Sequence, residues 1–215
     1  MLKVAFDDRS PKNILCLGAH CDDIEIGCGG AVLKYASELN DLGVHWVVFS
    51  SDGPREKEAL RSADEFLKNV RRKHVEIRRF RNSYFPSQGA EIKEYFEKLK
   101  LEVSPDFIFT HYRNDLHQDH RVINELTWNT FRDHLILEYE ILKFDGDLGS
   151  PNAFVHLNEA ICKEKINNIL DIFKSQCDKK WFTNDAFLSI LRIRGVESNA
   201  PDKYAEGFYC RKLII

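Results

Sequence analysis

The stretch NILCLGAHCDDIEIGCGG, residues 13–30, decides the fold. Its first part, residues 13–19, is a short apolar run ending in a small residue. Such a run, closed by polar residues, suits a strand buried on both faces of a parallel sheet. A polar loop over residues 20–25 follows, and Gly27, Gly29 and Gly30 lead into a helix expected over residues 31–40.

Downstream the alternation repeats. Gly43 punctuates before VHWVVFSS, a second buried strand, and the SDGP segment at residues 51–54 is a turn. Residues 55–70 place Leu60, Ala63, Phe66, Leu67 and Val70 at helical spacing. Residues 74–80 read as a strand, 90–101 as a helix, 106–110 (DFIFT) as a buried strand and 122–133 as a helix. This order predicts an α/β, Rossmann-like three-layer fold: a mainly parallel sheet with helices on both faces and ligands at the C-terminal strand ends. Beyond it, residues 135–144 alternate as a strand, 145–152 form a turn region, and 158–174 form an amphipathic helix with Asn158 as N-cap. The tail, residues 181–215, carries Trp181, Phe182 and Phe187, expected in the core, and a final strand candidate over residues 212–215. No repeat, low-complexity segment or linker interrupts the chain, so residues 1–215 are expected to form one domain.

Composition narrows the function. A net charge of -3 gives no general attraction to nucleic acid or anionic membrane. No apolar run is long enough to span a bilayer. The N-terminal MLKVAFDDRSPK carries acids where a signal peptide has an apolar stretch. Cys16, Cys21, Cys28, Cys162, Cys177 and Cys210 are scattered without a CxxC pair, which predicts reduced thiols and a cytoplasmic protein. A homo-oligomer is compatible with all of this.

The chemistry concentrates in two loops, residues 18–25 and 111–120, each fed directly by an expected strand. Parallel strands would open both loops on one edge of the sheet. Together they hold His20, His111, His117 and His120, four of the chain's 8 histidines, and Asp22, Asp23, Asp115 and Asp119. Imidazole and carboxylate suit zinc, and a catalytic zinc site takes three protein ligands and leaves a position for water. The structural alternative for Asp22-Asp23 is a pair of acids capping a helix, about as frequent as a functional role. A lone HxxH is weaker still. Both loops at parallel strand ends are a stronger signal, because clustered ionisable groups cost electrostatic energy unless a cation offsets it.

AHCDDIEIGCGG resembles the AHPDDxxxGCGG motif of the PIG-L/LmbE family of N-acetylglucosaminyl deacetylases, and THYRNDLHQDH resembles its second motif, HxDH preceded by an acid. Lys165 with Ser175-Gln176, and Arg194-Gly195 with Tyr204-Ala205-Glu206-Gly207-Phe208, are similar to two later, less specific family stretches. The sequence departs from the pattern at Cys21 and Gln118, where proline is usual, and at Ile24-Glu25, where many members carry the acid one position earlier.

The resemblance implies Zn²⁺, or Fe²⁺ as the alternative, held by His20, Asp23 and His120. It further implies Asp22 as general base, a protonated His117 facing the oxyanion, and Asp119 orienting a histidine. The implied reaction is removal of acetyl from an N-acetylated sugar or glycoconjugate. Arg55, Arg61, Arg194 and Glu206 are the candidate substrate contacts, although for Arg55 and Arg61 a solvated helix face is at least as frequent. Competing readings are a metal-dependent phosphohydrolase, which would want a bridging carboxylate, and a non-catalytic sugar-binding relative, which would have lost a ligand or the base. A dinucleotide-binding domain is disfavoured, because GxGxxG is absent and Asp22 and Asp23 would repel a pyrophosphate.

Overall fold

The computed structural model describes residues 13–214. The N-terminal segment considered above, residues 1–12, and the last residue of the expected C-terminal strand lie outside them. The strands β1 (Asn13–Gly18), β2 (Gly43–Val48), β3 (Arg72–Ile77), β4 (Phe107–His111) and β5 (Leu135–Tyr139) are parallel. Two further strands, β6 (Ala153–Leu157) and β7 (Tyr204–Cys210), join by antiparallel pairing, β7 with β5 and β6 with β7, giving the order β3-β2-β1-β4-β5-β7-β6. The strand alternation of β1 explains its place at the centre. Ile14 and Cys16 pack into the core on one face, while Leu15 and Leu17 pack on the other.

On the first face lie α1 (Asp23–Glu38), α2 (Gly53–Phe66), α5 (Glu159–Ile172) and α6 (Asn184–Glu197). On the second lie α3 (Gly89–Glu102) and α4 (Gln118–Thr130). The result is the three-layer α/β arrangement expected, with the strand order reversing between β1 and β4. A crevice opens at such a switch point, beyond the carboxyl ends of the two strands.

Several boundaries differ from expectation for physical reasons. α1 begins at Asp23, eight residues early, because its glycines lie inside the helix and not before it. A Cβ on Gly27 would stand 2.1 Å from the Tyr139 ring, and one on Gly30 would stand 2.5 Å from Leu157. The glycines thus let the helix lie against β5 and β6. α4 begins at Gln118, within the polar HQDH segment, and not at Val122. α6 and β6 were not expected, and β5 ends at Tyr139. The last strand among the described residues is β7, and residues 212–214 of the expected terminal strand are not in a strand. As expected, Asn158 caps α5 by accepting from Ile161 N–H at 2.8 Å, Phe182 and Phe187 are buried, and all six cysteines are free. No helix among the described residues is long and apolar enough to cross a membrane.

Candidate active site

The loop after β1 and the start of α4 meet at the switch point. Asp22 is the N-cap residue of α1 and Asp23 its first residue, yet the Asp22 side chain makes no capping hydrogen bond. Its Oδ1 accepts from Arg55 Nη2 at 2.9 Å instead. The capping alternative for this aspartate therefore fails on geometry. Arg55 reaches it from the first turn of α2, whose N-terminus carries Pro54.

Three donor atoms converge beside Asp22. His20 Nδ1 lies 3.3 Å from Asp23 Oδ2 and 3.2 Å from His120 Nε2, and His120 Nε2 lies 3.4 Å from Asp23 Oδ2. A tetrahedral zinc site with bonds of about 2.0–2.2 Å has ligand atoms about 3.4 Å apart. The triangle thus has the edge length that such a site requires, and its chemistry (two imidazoles and one carboxylate) is that of open zinc sites. All three side chains are at least nine-tenths buried.

Outer carboxylates hold both imidazoles, as they do around metal-ligating histidines. Asp115 Oδ2 lies 2.9 Å from His120 Nδ1 and accepts from Lys143 Nζ at 3.0 Å. Asp119 Oδ2 lies 3.3 Å from His20 Nε2 and also accepts from Ser83 N–H at 2.6 Å, while Oδ1 accepts from Phe85 N–H at 3.1 Å. Asp119 accordingly ties the loop after β3 to the site. Ser83 adopts a φ of 65°, in the left-handed region, to present that N–H.

The electrostatics separate the groups. For His20, burial alone would lower the pKa, but Asp23 and then Asp119 outweigh it and raise it to about 9. Burial, and next the neighbouring His111, push His120 down to about 3, so it stands neutral with a lone pair for a cation. Against the cost of its burial, His120, His111 and His20 hold Asp23 well below the usual carboxylate range. Burial pushes the Glu25 carboxyl well above that range. For His117, burial and then the His20 charge lower the pKa. Its Nδ1 accepts from Asp119 N–H at 3.2 Å as the N-cap of α4. Placed as an acceptor, Nδ1 suits a neutral imidazole with its proton on Nε2 and not the expected imidazolium.

The substrate-contact expectations divide. Arg55 joins the site, whereas Arg61 is exposed on α2 and no hydrogen bond or ion pair links it to the cluster. Glu206 is placed behind α1. Its Oε1 accepts from Gly30 N–H and Oε2 from Ala31 N–H, each at 2.7 Å, and it pairs with Lys165 at 2.6 Å. Lys165 in turn donates to Ile26 O at 2.7 Å. The buried pair supports α1 from behind and does not line the site. Arg194 is likewise occupied, bonding bidentately to Glu140 at 2.6 and 2.7 Å and to Glu197 at 2.8 and 2.9 Å. Sequence reasoning gave no role to Asp115, Lys143 or His111. His111 Nε2 accepts from Ala19 N–H at 2.9 Å and lies 3.2 Å from Asp23 Oδ2, so its lone pair is already engaged.

The sequence model described as PIG-L: GlcNAc-PI de-N-acetylase matches residues 15–131, more than half of the chain. Among solved structures, N,N'-diacetylchitobiose deacetylase from Pyrococcus horikoshii superposes with a TM-score of 0.68 at 18% identity, over 97% of this chain and 87% of that one. The zinc-inhibited form of teicoplanin deacetylase gives 0.71 at 13% identity, covering 92% and 97%. A 4-carboxy-2-hydroxymuconate hydratase from Pseudomonas putida gives 0.68 at 15% identity, covering 94% and 97%. At these identities the likeness to the solved structures is one of fold.

Proposed function

The chain belongs to the PIG-L family of de-N-acetylases, and from that premise we propose that it is a metal-dependent amide hydrolase removing acetyl from an N-acetylated sugar or glycoconjugate. The observation that carries the reading is the triangle of His20 Nδ1, Asp23 Oδ2 and His120 Nε2 with Asp22 beside it. These three atoms would hold Zn²⁺, with Fe²⁺ as the alternative. When bound, such an ion polarises the scissile carbonyl and makes water a nucleophile near neutral pH.

Asp22 takes the proton of the attacking water. Arg55 fixes one of its oxygens and leaves the other as acceptor. As attack builds negative charge on the acetyl oxygen, the Nε2–H of His117 donates to it from across the site, where the His117 and His20 rings stand 4.8 Å apart. A neutral His117 has one ring proton and would become an anion by giving it up. Asp22, having collected a proton, is therefore the group that returns it to the leaving amine. Asp119 and Asp115 hold His20 and His120 in the orientations the triangle needs.

The phosphohydrolase reading wants a carboxylate bridging two ions, and the outer acids beside the triangle are otherwise engaged: Asp115 by Lys143 and Asp119 by two backbone N–H groups. The test is Asp22→Asn. General acid–base catalysis contributes about 10²–10⁴-fold, so turnover should fall by that factor while bound metal per chain stays constant. A near-wild-type rate would remove Asp22 from the reaction.

A further inference from the structure

A second convergence of metal-ligating side chains lies away from this site, on β2 and β3. His45 and His74 are register partners on the two strands, and Glu76 follows His74 by two residues, so all three project from the same face. His45 Nε2 lies 2.9 Å and His74 Nε2 3.2 Å from the same oxygen, Glu76 Oε1. One donor atom from each residue lies within 4.8 Å of the other two. Glu76 Oε2 accepts from Tyr95 on α3 at 2.8 Å, which fixes the carboxylate. The cluster borders a cavity of about 440 Å³ whose wall includes Glu102, and the His74 side chain is 63% exposed, so solvent reaches it.

We propose that His45, His74 and Glu76 form a second metal site, taking a divalent ion of the zinc class and completed by water. Two imidazoles and one carboxylate, with open positions, make a ligand set for such an ion. The two cationic residues of β3 are already paired, Arg72 with Asp41 and Lys73 with Asp64. An ion here would tie the exposed edge strand β3 to β2. It is separate from the candidate active site, because His45 lies three residues, about 10 Å, short of the carboxyl end of β2.

Zinc titration of the metal-free full chain by equilibrium dialysis tests this directly. The expected result is two equivalents per chain. His74→Ala, at an exposed position, and Glu76→Gln, which keeps the side-chain shape, should each weaken one equivalent roughly tenfold or more. Asp23→Asn should leave that equivalent intact. A wild-type chain binding one equivalent that His74→Ala does not weaken overturns the proposal, as do two equivalents both insensitive to His74→Ala and Glu76→Gln.

Discussion

Asp22 and Asp23 are neighbours in sequence and serve different atoms. The Asp23 carboxylate turns inward and receives the His20 N–H at 2.7 Å, which fixes it within the donor triangle. The Asp22 carboxylate turns outward to Arg55. Their clustering with His20 was legible in sequence because the three share one short loop, and His120 joined them because its own loop follows a second strand expected to end on the same sheet edge. The outer groups were not, since Asp115 meets Lys143 across 28 residues and Asp22 meets Arg55 across 33. Only folding brings those together. Asp115→Asn should leave His120 less firmly oriented and raise the metal concentration giving half-maximal activity by about 10–100-fold. An unchanged metal dependence in an activity titration would show that Asp115 does not position the ligand.

α1 carries the site at its N-terminus, and what lies behind it decides whether the site is held. Residues from Asp23 to Leu33 are all buried. Three glycines within that span admit Tyr139, Phe66 and Leu157 where side chains would otherwise stand. They read in sequence as a helix entrance because glycine weakens a helix by about 1 kcal/mol relative to alanine. Packing overrides that propensity here. Gly27→Ala should therefore destabilise the protein by about 1–3 kcal/mol, the range for overpacking a filled core, despite alanine's better propensity. Urea unfolding measures this, and equal or greater stability would contradict the close approach of Tyr139. α6 escaped detection for a related reason. Its buried stripe is Phe187, Leu191, Arg194 and Gly195, and an arginine and a glycine interrupt the apolar period. The charge of Arg194 is matched by Glu140 and Glu197, partners invisible to a pattern of apolar residues.

At the scale of the molecule, the parallel order β3-β2-β1-β4-β5 sets the crevice between β1 and β4, and the β7–β6 pair extends the sheet behind α1. Strand–helix alternation predicted the first of these. The antiparallel extension stayed hidden because Glu206 and Gly207 interrupt the apolar run of β7, and the glutamate's burial is satisfied only by Lys165 and the α1 backbone. The shared fold does not choose the reaction, since structures named as deacetylases and as a hydratase superpose on it over nearly their whole lengths. The choice rests on the donor triangle and Asp22. The most direct measurement is acetate release from a panel of N-acetylglucosaminyl conjugates, before and after metal is stripped with a chelator. The account predicts release that disappears on stripping and returns when Zn²⁺ or Fe²⁺ is restored, whereas acetate release undiminished in the metal-free protein would contradict it.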